Sequence, residues 1–195
     1  MAIALVGEHM QHGRIRLRSL FVDSYQSLAS SLFGAAVTIV FVDSFVRRGD
    51  RVRRTAELIS ILRGGSEEAS AVAVEHLRMS GWLMDGTMAS SNMSRATLLG
   101  ADLESAVLDD ADLTHARLAG ASLFGARLCR ANLSAADLQG ANLTLADLRE
   151  ANLFRADLRG AELDGADLRG AVLRDCLVDA DALTRAITES RTPTT

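Results

Sequence analysis

Residues 96–175 read ATLLG ADLES AVLDD ADLTH ARLAG ASLFG ARLCR ANLSA ADLQG ANLTL ADLRE ANLFR ADLRG AELDG ADLRG AVLRD. Leucine returns at every fifth residue: Leu98, Leu103, Leu108, Leu113, Leu118, Leu123, Leu128, Leu133, Leu138, Leu143, Leu148, Leu153, Leu158, Leu163, Leu168 and Leu173. Two residues before each stands an alanine, from Ala96 to Ala171. Five residues advance an α-helix by about 500°, so this period smears leucine around the helix instead of building one stripe. A plain strand fails as well, because its period of two sends successive leucines to opposite faces. What remains is a solenoid whose backbone turns one corner per pentapeptide and aims every Leu and Ala at a shared axis.

Ala101-Asp102-Leu103, Ala131-Asn132-Leu133, Ala141-Asn142-Leu143, Ala151-Asn152-Leu153 and Ala156-Asp157-Leu158 resemble the A(D/N)LXX motif of the pentapeptide-repeat family. The resemblance implies an all-β solenoid, a right-handed quadrilateral β-helix with one pentapeptide per side. Leucine fills the centre of such a coil, and alanine is small enough for the backbone to close around it. Stacking coils at about 4.8 Å satisfies backbone N–H and C=O groups between them. The pentapeptides from residue 81 to residue 175 make about five coils, a rod about 24 Å long.

The ends keep phase while identity drifts. Leu83, Met88 and Met93 hold the leucine position at the start, with Gly81, Gly86 and Ser91 at the alanine position. At the other end Cys176 and Asp181 fall at the alanine position, and Val178 and Leu183 at the leucine position. The β-helix is therefore assigned to 81–185, and 186–195, with the only proline at Pro193, is expected to be a disordered tail. Ala180 to Ile187 is expected to form a capping turn or helix, because an open last coil leaves unpaired edges.

The 80 residues before the repeat differ in charge. Lysine is absent; residues 1–80 carry 10 Arg and 8 acids, residues 81–195 carry 11 Arg and 17 acids, and the whole chain is −4. Ser24 to Val42, SYQSLASSLFGAAVTIVFV, has no charged residue. Nineteen helical residues cover about 28 Å, close to the roughly 30 Å of a bilayer's hydrocarbon core. The reading is a basic segment at 1–22, a transmembrane helix at 23–46 and a helical linker and cap at 47–80. Arg47, Arg48, Arg51, Arg53 and Arg54 after the span outnumber Arg14, Arg16 and Arg18 before it. That excess puts the repeat domain on the cytoplasmic side of a single-pass protein. The alternative is a buried or surface-lying helix in a soluble structural repeat protein. Val42-Asp43-Ser44-Phe45 lacks the small residues of a signal-peptide cleavage site.

Two helices are predicted in the linker. The first, about Arg51 to Arg63, carries Leu58, Ile59, Ile61 and Leu62 and stops at Gly64-Gly65. The second starts with Ser66 as N-cap and Glu67 and Glu68 at the positive end of its dipole. Its apolar face is read as Ala69, Val72, Ala73, His76 and Leu77, leading into Gly81-Trp82-Leu83. This arrangement is similar to bacterial membrane-anchored members of the family.

Catalysis needs different side chains converging in a cleft, and the repeat supplies apolar inward positions and flat outward walls. No enzyme activity, cofactor or metal is expected. His115 is a solitary outward residue, and His9 and His12 alone do not make a zinc site. Cys129 is outward and Cys176 inward, so they are not expected to form a disulfide. Residues one coil apart should stack. Asp110, Arg130 and Glu150 form a charge ladder, Arg117 lies over Asp137 and Arg127 over Asp147, while Asp137 meets Asp157 and Asp147 meets Asp167. Phe124, Phe154, Asp137, Asp157, Asp147 and Asp167 are the expected partner contacts.

These features point to a non-enzymatic interaction or scaffold module, anchored through 24–42 and offering a rigid rod to a protein partner that the sequence does not identify. The alternative implied by the resemblance is a DNA mimic that binds and protects DNA gyrase, though eleven arginines interrupt the acidic charge. Direct binding of nucleic acid is not expected of an acidic wall. End-to-end homodimers are compatible with the repeat, and Gly34-Ala35-Ala36 offers a small-residue contact.

Overall fold

A computed structural model describes residues 50–188 of the chain. The chain divides into two units, Met1–Val52 and Arg53–Thr195, and all of the described residues except 50–52 belong to the second. The expected basic segment, the span at 24–42 and the last residues of the tail lie outside the described residues. Among the described residues no helix is long and apolar enough to cross a membrane.

Helix α1 covers 50–64. Leu58 and Leu62 are buried, and Ile59 and Ile61 pack against the same core. It ends where Gly65 N–H donates to Ile61 O at 2.7 Å. A Cβ on Gly65 would lie 2.6 Å from that carbonyl, so glycine is required by close approach. Helix α2, Glu67–Met79, begins as its sequence dictates: Ser66 accepts from Ala69 N–H, and Glu67 and Glu68 occupy the first turn.

The buried face of α2 differs from the expected one. Ser70, Ala73, Val74 and Leu77 are buried, whereas Val72 is 71% exposed. Both sets have helical spacing, and the small Ser70 lets the helix lie close to its neighbours, which counting apolar residues alone overlooks. The displaced residues Ala69, Val72 and His76 border a groove with Leu58 and Ile61. His76 also stacks on Trp82 at 6.2 Å between ring centroids.

From residue 91 onward the chain coils. Parallel bridges join Thr97 to Arg117, Arg117 to Asp137 and Asp137 to Asp157, a register of twenty residues. Each coil is sewn to the next in both directions: Leu118 N–H donates to Asp137 O at 2.7 Å, and Asp137 N–H to Ala116 O at 2.9 Å. Within a pentapeptide the corner closes when the alanine N–H reaches back three residues, as Ala131 does to Leu128 O at 3.0 Å. Among the described residues the longest paired segments are only two residues, β1 (Asp157–Leu158) and β2 (Leu177–Val178), with Asp157 opposite Leu177. Short sides and frequent corners make the right-handed β-helix solenoid.

The core is a column of leucine enclosed by alanine. Leu98 through Leu168 are buried, and Met88, Met93 and Leu83 continue the column toward the helices. Leu173 departs from the expectation and is only half buried, because among the described residues no complete coil covers it. Both ends of the ladder are closed. At the start Thr97 N–H donates to Leu62 O at 2.7 Å. At the finish helix α3, Ala180–Arg185, buries Ala182 and returns the chain so that Ile187 pairs with Asp167. Asp179 precedes α3, and its carboxylate accepts Gly160 N–H at 2.8 Å.

Candidate protein-interaction surface

Each pentapeptide points three residues outward: the one before leucine, the one after it, and the corner. The first of these also builds the turn. Asn132 Oδ1 accepts Ser134 N–H at 3.2 Å and Ser134 Oγ–H at 2.7 Å, and Asn142 Oδ1 accepts Thr144 N–H at 3.0 Å. Asp147, Asp157 and Asp167 take the N–H two residues on in the same manner. This local bond explains why aspartate and asparagine recur at the position. Corners adopt the left-handed conformation, as at Gly140 (φ 63) and Asp110 (φ 58).

The bridges assemble four walls, named here by a leading residue. The Asp102 wall continues through Ser122, Asn142 and Glu162; the Val107 wall through Arg127, Asp147 and Asp167. The Asp112 wall runs through Asn132, Asn152 and Val172, and the Arg117 wall through Asp137, Asp157 and Leu177.

The expected aspartate stacks are present, and arginines resolve their repulsion. Arg149 grips Asp147 with Nε at 2.8 Å and Nη2 at 2.7 Å, and its Nε is 3.9 Å from Asp167. Arg159 and Arg169 grip Asp157 and Asp167 in the same two-pronged way. Gln139 Nε2 also donates to Asp157, at 2.7 Å. The arginine hydrogen bonds hold Asp147, Asp157 and Asp167 below the ordinary carboxylate range. Asp137 accepts Gln139 N–H at 3.2 Å.

Arg117 and Arg127 do stack over Asp137 and Asp147, but their ion pairs go elsewhere. Arg117 reaches Glu67 at 3.1 Å, and Arg127 reaches Asp109 at 2.5 Å. A long side chain on a flat wall is free to lean sideways or back a coil, so backbone register alone does not select its partner. Arg130 does pair with Asp110 below it, through Nε at 2.8 Å and Nη2 at 2.7 Å.

The two outward phenylalanines are in different circumstances. The guanidinium carbons of Arg155 and Arg174 each lie 4.8 Å from the Phe154 ring centroid, so the ring is engaged by arginine within the chain. Phe124 is 37% exposed. It belongs to the Asp102 wall, where Leu145 is 60% exposed.

That wall was not singled out by the sequence reading. From residue 102 to residue 165 its outward positions hold Asp102, Glu104, Glu162 and Asp164 and no arginine. Its ends are met from the two caps: Arg78 Nη1 lies 2.6 Å from Asp102, a contact of charge without aligned hydrogen-bond geometry, and Arg185 Nε lies 2.5 Å from Asp164. Glu104 and Glu162 make no ion pair among the described residues. Reading the sequence in columns of twenty exposes the pattern, since Glu104, Phe124, Thr144 and Asp164 then fall in one line.

Cys129 is half buried, with its thiol pushed up by desolvation, while Arg130 Nη1 lies 3.5 Å from its sulfur. Burial pushes the Cys176 thiol up to about 11. Among the described residues no three His, Cys, Asp or Glu side chains are grouped to hold a metal ion.

Pentapeptide repeats, in eight copies, match residues 91–128, 111–149 and 151–176. No curated protein matches the chain. Among solved structures the chain is similar to a pentapeptide repeat protein from the thylakoid lumen of Arabidopsis thaliana, at 31% identity over 55% of this chain and 81% of that one, with a TM-score of 0.41. A pentapeptide repeat protein from Nostoc is 31% identical over 60% of this chain and 94% of its own, with a TM-score of 0.45. HetL, a Nostoc pentapeptide repeat protein involved in heterocyst differentiation regulation, is 37% identical over 51% of this chain, with a TM-score of 0.32. The match spans 49% of HetL, about half its length.

Proposed function

Because the chain belongs to the pentapeptide-repeat family through residues 91–149 and 151–176, we propose that it is a non-enzymatic interaction module that presents its walls to a protein partner. The observation that carries this reading is the fixed placement of outward side chains over a filled core. With Leu98 through Leu168 buried and every coil bonded to the next, the walls are pre-organised, so recognition spends little free energy on ordering them.

The second half of the proposal is that residues 24–42 anchor this rod in a membrane, with the repeat on the cytoplasmic side. Its support is the uncharged run and the arginine excess that follows it. Membranes washed at alkaline pH with carbonate are expected to retain the full chain. Release of intact protein into the wash would overturn the anchor.

A DNA-like surface needs an unbroken line of negative charge. Arg149, Arg159 and Arg169 neutralise the acidic columns that come nearest to one. Supercoiling by DNA gyrase is therefore expected to continue unchanged with the full chain in excess.

A further inference from the structure

We propose that the Asp102 wall seats a basic segment of a protein partner, one with a large apolar side chain that lies against Phe124 and Leu145 and with arginine or lysine on either side. The inference rests on the reading of the chain as an interaction module and names the wall and the chemistry of what it takes.

Charge distinguishes this wall. The other three carry arginines among their outward residues: Arg127, Arg130, Arg149 and Arg169 on one, Arg95, Arg155 and Arg174 on the next, Arg117 and Arg159 on the last. Between residues 102 and 165 the Asp102 wall supplies none of its own; with Asp102 and Asp164 met by Arg78 and Arg185, Glu104 and Glu162 remain without an ion pair among the described residues, one on either side of the apolar pair. The wall on the far side of the coil holds Arg95, Arg155 and Arg174 against Asp112 and Asp175. The rod is thus electrically lopsided, and a basic segment would be drawn to this side and turned away from the opposite one.

Leu145 supplies the apolar half of the surface, at a corner whose left-handed conformation it shares with residues such as Arg130, Glu150 and Arg155. It occupies a corner with φ 59, a conformation that suits glycine, asparagine or aspartate and is strained for leucine. Among the described residues it is the only large aliphatic side chain at such a corner. The strain brings no burial in return, since the side chain is 60% exposed. It rests over Gly165, where a Cβ would come within 2.9 Å of Leu145 Cδ2. A strained, exposed and pre-positioned leucine one coil from an exposed Phe124 is what an apolar contact surface requires.

The test pans a phage-displayed library of random twelve-residue peptides on the full chain held in nanodiscs of phosphatidylcholine, a lipid without net charge. Enriched peptides should carry Arg or Lys flanking an aromatic or aliphatic residue, and their affinity is then measured by fluorescence anisotropy. Leu145→Asn is expected to weaken binding about tenfold without lowering the melting temperature, since asparagine tolerates the corner. Glu104→Gln with Glu162→Gln should weaken it by a similar factor and flatten its salt dependence. Arg155→Gln with Arg174→Gln, on the far wall, should leave it unchanged. Peptides without basic residues, or binding indifferent to Leu145, Phe124 and the two glutamates, would overturn the proposal. Binding that instead depends on Arg155 and Arg174 would sink this wall and keep the interaction module; no peptide binding anywhere would count against both.

Discussion

Arg149 and Asp147 are two residues apart and face each other across Leu148, joined by two parallel hydrogen bonds of 2.8 and 2.7 Å. The same clamp recurs at Asp157 with Arg159 and at Asp167 with Arg169. Each carboxylate is held below its ordinary range, first by the arginine hydrogen bond. A depressed folded value contributes stability above the unfolded carboxylate value of about 3.9, and that contribution disappears as pH falls through the folded value. Thermal unfolding followed by circular dichroism should therefore show these clamps contributing fully at pH 5 to 7 and progressively less below about pH 4. The triple variant Arg149→Gln, Arg159→Gln, Arg169→Gln should lose less on acidification than the parent. Equal acid slopes in the two proteins would remove the clamps as the cause.

Leu133 and Leu173 occupy the same position in their pentapeptides, yet Leu133 is fully enclosed and Leu173 is half buried. Leu133→Ala is expected to cost about 2–5 kcal/mol, the range for a buried leucine whose cavity cannot collapse. Leu173→Ala should cost less than half as much, because solvent already reaches it. Urea denaturation of both variants checks the ratio, and equal losses would show that Leu173 is enclosed as tightly as Leu133.

Much of this was written in the sequence, for reasons that differ by residue. The leucine and alanine columns are legible because a core position tolerates little else, and Ser66 is legible because a helix start needs a side-chain acceptor. Gly100, Gly120, Gly140 and Gly160 announce a corner, and all four have positive φ. Arg117 was less legible: its register was right, but its pairing with Glu67 depends on a rotamer and on a helix fifty residues away. The buried face of α2 was misread for a similar reason, since Ser70 is buried by its neighbours and not by its own hydrophobicity. The Asp102 wall stayed hidden because its distinguishing mark is missing arginine, visible only once the four columns are separated.

Leu145→Gly tests how much strain the corner stores. Glycine removes the left-handed penalty and the exposed side chain together, so the variant should gain about 1 kcal/mol despite glycine's greater unfolded-state entropy. Gly160→Ala is the mirror experiment. Its φ is 70, and a Cβ there would meet Gly140 only at 3.8 Å, so the cost should be conformational alone, about 1–2 kcal/mol. If Leu145→Gly destabilises the chain, its side chain has a structural role and the case for an interaction leucine weakens.

Cys176 shows how the last coil, closed by α3, shields its interior. It takes the place of an inward alanine, and burial pushes its thiol up to about 11; Cys129 is raised as well, although Arg130 opposes the shift. Only the thiolate reacts, so at pH 8 both cysteines should be alkylated by iodoacetamide more slowly than in the urea-unfolded chain. For Cys176 the gap should reach at least about tenfold, because its folded value lies well above the usual 8.5. The linkage has the opposite sign to that of the aspartates. A raised thiol value contributes stability in full below the unfolded value of about 8.5, and the contribution is lost as pH rises toward the folded one. Cys176→Ala restores the residue that the repeat uses elsewhere, and should flatten the decline in melting temperature between pH 8 and pH 10. Site-resolved mass spectrometry of the alkylated protein separates the two thiols. Alkylation of folded Cys176 as fast as in urea would show that the last coil opens in solution more readily than its closed ladder implies.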